Sequence, residues 1–231
     1  MKIKITFFVL SFFGASLVHM YSQSYNNPNV ALKSHETLVI SKVDLTLQRT
    51  LIYLSLENQR NEGGNFCADK KIYLIYPDGS RLNLTSAHNI PVCPDTYNFK
   101  SIGEKLEFSL EFPPLRAGTP WIDIIEDCAS NCFWFYGVTL DNELNARLDE
   151  AFSLASKGQA AGNINLFKNI LDDIDSQDLG IEGLLYINII NAAVEDAGNV
   201  NTIVWYKRLV ASHAPRLSQY LKYLNDKGIK Y

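Results

Sequence analysis

The chain has 231 residues, of which 47% are hydrophobic and 20% charged, with a formal net charge of −4. These proportions exclude a disordered chain and a collagen-like one. The length accommodates one domain or two small ones.

The first element is read as a targeting segment. Lys2 and Lys4 precede an apolar run from Ile5 to Val18, and Tyr21-Ser22-Gln23-Ser24 follows with small and polar side chains. This is the layout of a secretory signal peptide covering residues 1–22, cut between Ser22 and Gln23. The competing reading is an uncleaved anchor, but the run is shorter than the roughly 20 residues of a spanning helix. No other run approaches that length, so no stable membrane span is expected after signal removal. Lys2 and Lys4 are two of the 21 basic residues, so 19 basic and 25 acidic residues remain, a net charge of −6. The densest basic pairs are Lys70-Lys71 and Lys207-Arg208, which form no patch or stripe, so nucleic acid is not an expected partner.

Residues 23–35 read as a linker and 36–140 as a β-rich unit. Val43, Leu45 and Leu47 alternate with polar residues, as do Leu106, Phe108, Leu110 and Phe112. Both runs predict strands with one wet face. Leu51–Leu56 and Ile72–Tyr76 are apolar on both faces and are expected nearer the sheet centre. Leu82–Thr85, Trp121–Ile125 and Phe133–Leu140 add further strands. Turn signals separate them at Glu62-Gly63-Gly64-Asn65, Pro77-Asp78-Gly79-Ser80, Pro113-Pro114 and Ala117-Gly118-Thr119-Pro120. About seven short strands with regular turns predict an antiparallel β-sandwich of immunoglobulin-like type.

Four cysteines lie in this unit, Cys67, Cys93, Cys128 and Cys132. In an exported chain an even number points to disulfides, with three possible pairings. A hairpin about Pro77-Asp78-Gly79-Ser80 brings the segment near Cys67 towards the segment near Cys93. This favours Cys67–Cys93 and Cys128–Cys132. A redox site fits less well, because the spacing is C-x3-C rather than C-x-x-C. Zinc fits less well again, since His88 is the one nearby histidine.

After residue 140 the apolar period becomes 3.6, and residues 141–231 predict about five helices in an antiparallel hairpin array. Asp141 is expected to cap the first and Asn163 to start the second. The third, Ile181–Ala197, is apolar nearly all round and is placed at the centre. Val200–Ser212 and Pro215–Asp226 complete the set, with Pro215 at the first helical position. The fold class is therefore α+β in two parts.

His88-Asn89-Ile90-Pro91, Gly103-Glu104-Lys105-Leu106-Glu107-Phe108, Phe112-Pro113-Pro114-Leu115, Ile122-Asp123 and the run Phe133 to Leu140 come in a familiar order. Over roughly residues 36–140 the chain resembles a small β-sandwich domain of secreted Bacteroidetes proteins, one sometimes joined to a thioredoxin-like domain. The resemblance implies no catalytic motif. This chain has no C-x-x-C and no βαβ pattern after residue 140, so redox activity is not carried over. Gly158 with Phe167, and Gly198 with Pro215, are similar in spacing to tetratricopeptide-type helical repeats. The offset between the two units is about 40 residues instead of 34.

Candidate binding residues are aromatic. In Phe133-Trp134-Phe135-Tyr136 one alternate pair must leave the β core. Trp134 and Tyr136 then either pack against the helices or form an exposed platform for a sugar or a protein. Trp121 and Trp205 are the other aromatic candidates. In Trp205-Tyr206-Lys207-Arg208, helical spacing places Ile203, Tyr206 and Val210 in the core. The acidic run Asp172, Asp173, Asp175, Asp178 and Glu182 fails as a calcium loop, because its sixth position is Asp178 rather than glycine. Glu126 and Asp127, as strand neighbours, point to opposite faces and make a poor acid–base pair. His35, His88 and His213 are scattered, and no HExxH, glycine-rich phosphate loop or Ser-His-Asp spacing occurs. No catalytic residue, metal ligand or cofactor is therefore expected. The sequence points to an exported, periplasmic or secreted, non-catalytic protein of the bacterial envelope that binds or scaffolds a protein partner. The alternatives are a glycan-binding module with an exposed aromatic face, and a hydrolase with an unrecognised carboxylate site.

Overall fold

The computed structural model describes residues 22–61, 63–157, 160–174, 180–195, 199–212 and 214–231. The signal-peptide reading falls on residues that lie, except for Ser22, outside this set. So do Gly158, Asp175, Asp178, Gly198 and His213.

The strands are β1 (Gln23–Asn26), β2 (Val30–Lys33), β3 (Leu38–Leu45), β4 (Thr50–Glu57), β5 (Asn65–Phe66) and β6 (Ile72–Ile75), followed by β7 (Arg81–Asn83), β8 (Ser86–His88), β9 (Tyr97–Asn98), β10 (Lys105–Phe112), β11 (Trp121–Glu126) and β12 (Trp134–Thr139). The helices are α1 (Asn142–Ser156), α2 (Ala160–Ile174), α3 (Glu182–Glu195), α4 (Asn199–Ala211) and α5 (Leu217–Asp226). One antiparallel sheet has the order β1-β3-β4-β10-β8, and the second β2-β12-β11-β6-β7. The pair β5-β9 stands apart. The chain is thus α+β, with its sheets on the N-terminal side and its helices in the C-terminal part.

Alternation decides the burial of the strands. Leu106, Phe108, Leu110 and Phe112 of β10 are buried, while Lys105 and Glu107 are exposed. Ile52, Leu54, Leu110 and Phe112 from the first sheet join Leu74, Ile122, Phe135 and Val138 from the second in one apolar cluster. Each such side chain contributes about 1.5–3 kcal/mol on burial. Of the two runs apolar on both faces, β4 is central, whereas β6 lies next to the edge strand β7. Leu47, expected to continue a strand, is 54% exposed in the turn after β3.

The segment 23–35, read as a linker, instead supplies β1 to one sheet and β2 to the other. β2 has a second task. Its Ala31 belongs to the apolar cluster of the helical part, with Leu148, Phe167, Leu185, Ile189 and Tyr220. The second sheet therefore lends one face to the β core and part of the other to the helices.

Asp141 caps α1, its carboxylate accepting from the Glu143 and Leu144 amides. α2 begins at Ala160, so Asn163 lies inside it rather than at its start. Pro215 stands before α5, whose N-cap is Arg216 in the left-handed region at φ 63°. Val210 of α4 is 48% exposed, and Leu209 and Thr202 take the buried positions expected of Ile203, Tyr206 and Val210. The difference is one of phase, because α4 meets its neighbours along a different stripe. α3 packs against α2, α4 and α5, as its all-round apolarity requires. Gly183 lets it approach α5 closely, since a Cβ there would overlap the Tyr220 ring.

Candidate functional site

The three candidate tryptophans go to three places. Trp121 is buried where the second sheet meets the helices, at 4% exposure. Trp205 is half-buried on α4, with Tyr186 at 6.3 Å and the Arg208 guanidinium over its ring at 4.6 Å. Trp134 is half-buried on the outer face of the second sheet, its ring 4.5 Å from that of Tyr136.

The joint between sheet and helices is built around an ion pair. Asp123 and Arg216 have side chains only 8% and 10% exposed. Arg216 Nη1 donates to both Asp123 oxygens, at 3.0 and 2.9 Å, and Nη2 donates to the Gly180 carbonyl at 2.9 Å. The Gly137 amide also donates to Asp123 Oδ1, at 2.7 Å. The guanidinium lies 5.2 Å from the Trp121 ring and 5.1 Å from that of Tyr136, a cation–π arrangement on two sides. Gly180, at φ +73°, gives Trp121 its space; a Cβ there would overlap the indole. A second tie lies at the start of α1. The Asn29 amide donates to Asn145 Oδ1 at 2.8 Å, and Asn145 Nδ2 donates to the Thr139 carbonyl at 3.1 Å. Trp121 and Tyr136 are therefore contacts between the two parts.

Beyond the joint the same sheet face changes character. Register places Trp134, Ile125 and Tyr73 side by side across three strands. Their chain neighbours Phe133, Phe135, Ile124, Ile72 and Leu74 enter the β core, so these three point outward. All three are half-buried, as is Ile75 one position on. Arg81 lies over the Tyr73 ring at 4.4 Å. A wet sheet face normally carries polar residues at such positions. This one carries an aromatic and aliphatic strip.

The disulfides gather at one end of the sheets. Cys67 is bonded to Cys93 and Cys128 to Cys132. The first follows from the hairpin about Pro77–Ser80, with the Ala68 amide on the Pro91 carbonyl and the Cys93 amide on the Ala68 carbonyl. Between the two disulfides opens a cleft of about 600 Å3 that reaches His35, Arg60, Asp69 and Glu126. Glu126 is 6% exposed, and each carboxylate oxygen accepts one backbone amide, Asp69 at 2.8 Å and Phe133 at 3.0 Å. Burial nevertheless pushes its carboxyl above the usual range, an effect that those two amides oppose. Burial and the nearby Arg60 both hold the His35 imidazole below its usual value.

A raised carboxyl binds its proton more tightly in the folded chain than in the unfolded one. Glu126 therefore contributes stability in acid, and that contribution is lost as pH rises from the ordinary carboxylate range through its raised value. Compared with Glu126→Gln, which stays neutral, the wild-type chain is expected to be favoured most in acid and to lose this advantage towards neutrality. Paired urea titrations across that interval check this, and a difference independent of pH contradicts it.

Among the described residues, the histidine and carboxylate groups singled out in the sequence meet as follows. Ser86, His88 and Glu111 meet on the first sheet, but Ser86 Oγ at 3.0 Å and Glu111 Oε2 at 3.1 Å both contact His88 Nε2. A relay requires the serine and the acid on different ring nitrogens. Glu126 ends β11 and is buried, while Asp127, just past the strand, is exposed. Asp173, from the acidic run, is paired with Arg147. Among the described residues no group of three or more His, Cys, Asp or Glu side chains is placed to hold a metal ion. None of their helices is long and apolar enough to cross a membrane. In comparisons with known proteins, no family model, no curated protein and no solved structure matches the chain.

Proposed function

We propose that the protein is an exported, non-catalytic binding module of the bacterial envelope that engages a protein partner through the outer face of its second sheet. In this reading residues 1–22 are a signal peptide. The two sheets form an immunoglobulin-like sandwich akin to the secreted Bacteroidetes domain, and the helices form a hairpin array that backs it. The protein then works in the periplasm or outside the cell, where its two disulfides persist.

The observation that carries the proposal is the outward row Trp134–Ile125–Tyr73. Half-buried aromatic and aliphatic residues in register on the part of a sheet face that the helices leave uncovered mark an interaction surface. The strip runs across three neighbouring strands, a breadth that suits a protein face. It suits a sugar ring less, because one face of the Trp134 ring is turned to Tyr136 at 4.5 Å.

The test is capture from envelope extract by the wild-type chain and by Trp134→Glu and Tyr73→Glu. A charge in the centre of an apolar interface costs several kcal/mol. The expected result is a defined protein that the wild type recovers and both variants lose. Recovery of no defined protein, or equal recovery by all three chains, overturns the proposal. Quenching of tryptophan fluorescence by a glycan, abolished in Trp134→Glu, moves the assignment to sugar binding.

A further inference from the structure

The cleft between the disulfides has a construction that the aromatic strip does not explain. Its walls are pinned from behind. Asn58, 6% exposed, donates to the Arg60 and Ser101 carbonyls at 3.1 and 2.8 Å and accepts from the Arg60 amide at 3.1 Å. The Phe99 amide is bonded to the Gly64 carbonyl at 2.9 Å. Glu126 ties the segment at Asp69 to the strand at Phe133. With a disulfide on either side, the walls are set before any ligand arrives, which lowers the ordering cost of binding.

The rim is different. Gln59, Asn65 and Asn131 line the cleft, are exposed, and engage no side-chain hydrogen bond within the described residues. Each offers a carboxamide, a donor and an acceptor in one plane. Half-buried Phe66 supplies apolar lining, and Phe99, only 7% exposed, belongs to the core beneath. The charges nearly cancel. Glu57 faces Lys105 at 3.5 Å and Glu36 faces Lys33 at 3.9 Å, Asp69 and Arg60 add one charge of each sign to the lining, and Glu126 is buried on two backbone amides. Such a lining gives no advantage to an anion or a cation. It suits a ligand that needs donors and acceptors together and has apolar ring faces as well. At about 600 Å3 the cleft lies in the range of small-molecule sites.

We propose that this cleft binds a short neutral oligosaccharide, its hydroxyl groups held by the amides of Gln59, Asn65 and Asn131 and a ring face lying against Phe66. The site is separate from the outer strip and stands whether or not the strip binds a protein.

The test uses the full chain, saturation-transfer NMR and titration calorimetry. The probes are maltotetraose, cellotetraose, mannotetraose and chitotetraose, with polygalacturonate and oligolysine as charged comparisons. At least one neutral tetrasaccharide is expected to bind. Gln59→Ala combined with Asn131→Gly is expected to weaken it roughly tenfold or more. Asn131 has φ +58°, so glycine keeps the backbone while removing the amide. Asn65→Trp is expected to block the mouth and abolish binding. The three changes are at exposed positions, and an unchanged thermal midpoint verifies folding. The proposal is overturned if no neutral probe binds or if a charged polymer binds better. It is also overturned if neutral binding survives the cleft variants or is lost in Trp134→Glu instead.

Discussion

Replacing Arg216 by methionine is expected to destabilise the protein by about 3–5 kcal/mol, the usual consequence of leaving one partner of a buried ion pair behind. Asp123 would keep the Gly137 amide but lose both contacts from the guanidinium, at 8% exposure. The contact from Nη2 to the Gly180 carbonyl would be lost as well. For a chain of this size the thermal midpoint should fall by on the order of 10 °C. The form of the transition should change too. The sheets and the helices have separate apolar clusters, and this pair with its aromatic neighbours sits between them. Fluorescence of the buried Trp121 and the helical circular dichroism should then report two transitions where the wild type shows one. Adding Asp123→Asn to Arg216→Met removes the stranded charge while retaining an acceptor for Gly137, so most of the loss should be recovered. An Arg216→Met chain within about 0.5 kcal/mol of wild type would mean that packing alone holds the joint.

The second large effect concerns the disulfides. Cys67–Cys93 closes a sequence separation of 26 and Cys128–Cys132 one of 4. If loop-closure entropy of the unfolded chain governs, replacing the first pair by serine costs about 3–4 kcal/mol and the second about 2 kcal/mol. The first pair also holds one wall of the cleft, so its loss should loosen amide protection around Ala68 and Cys93. Urea midpoints of the two double variants, with unchanged slopes, measure the difference. A larger loss from the short loop than from the long one would show that native-state contacts at the Cys128–Cys132 tip outweigh chain entropy.

Much of the β part is legible because alternation is a local property. Leu106, Phe108, Leu110 and Phe112 announce one buried face within eight residues, and the Pro77–Ser80 turn announces which segments meet. β1 and β2 are not legible in this way. Each is four residues long and they flank Pro28, too short a span for a period of two to stand out. Ala31 and Leu32 both pack towards the helical cluster, which blurs β2 further. The helical part is legible in number and in the centrality of α3. The phase of α4 is not, since Val210 and Leu209 are equally apolar and only neighbouring helices choose between them.

The candidate site divides similarly. The outward turn of Trp134 and Tyr136 follows from their alternation with Phe133 and Phe135. Arg216 carries no local signal, for its partner Asp123 is 93 residues away and its backbone conformation is unusual for arginine. Glu126 reads as an ordinary strand end, and its two amide partners belong to segments that the β6–β11 pairing and the β11–β12 connection bring together. The cleft has no motif because its lining comes from six separate connections between strands.

The placement of β2 also has a kinetic consequence. Its one neighbour in the sheet is β12, and the Ser34 amide reaches the Trp134 carbonyl, one hundred residues along the chain. Joining ends so far apart adds little to the equilibrium cost, because closure entropy grows only as the logarithm of length. It does delay the event, since distant pairings form slowly compared with hairpins such as β6–β7 and β3–β4. The edge of the second sheet therefore closes late in folding. Until it does, Ala31 is missing from the helical cluster, so the last steps of the β part and of the helical part are one step.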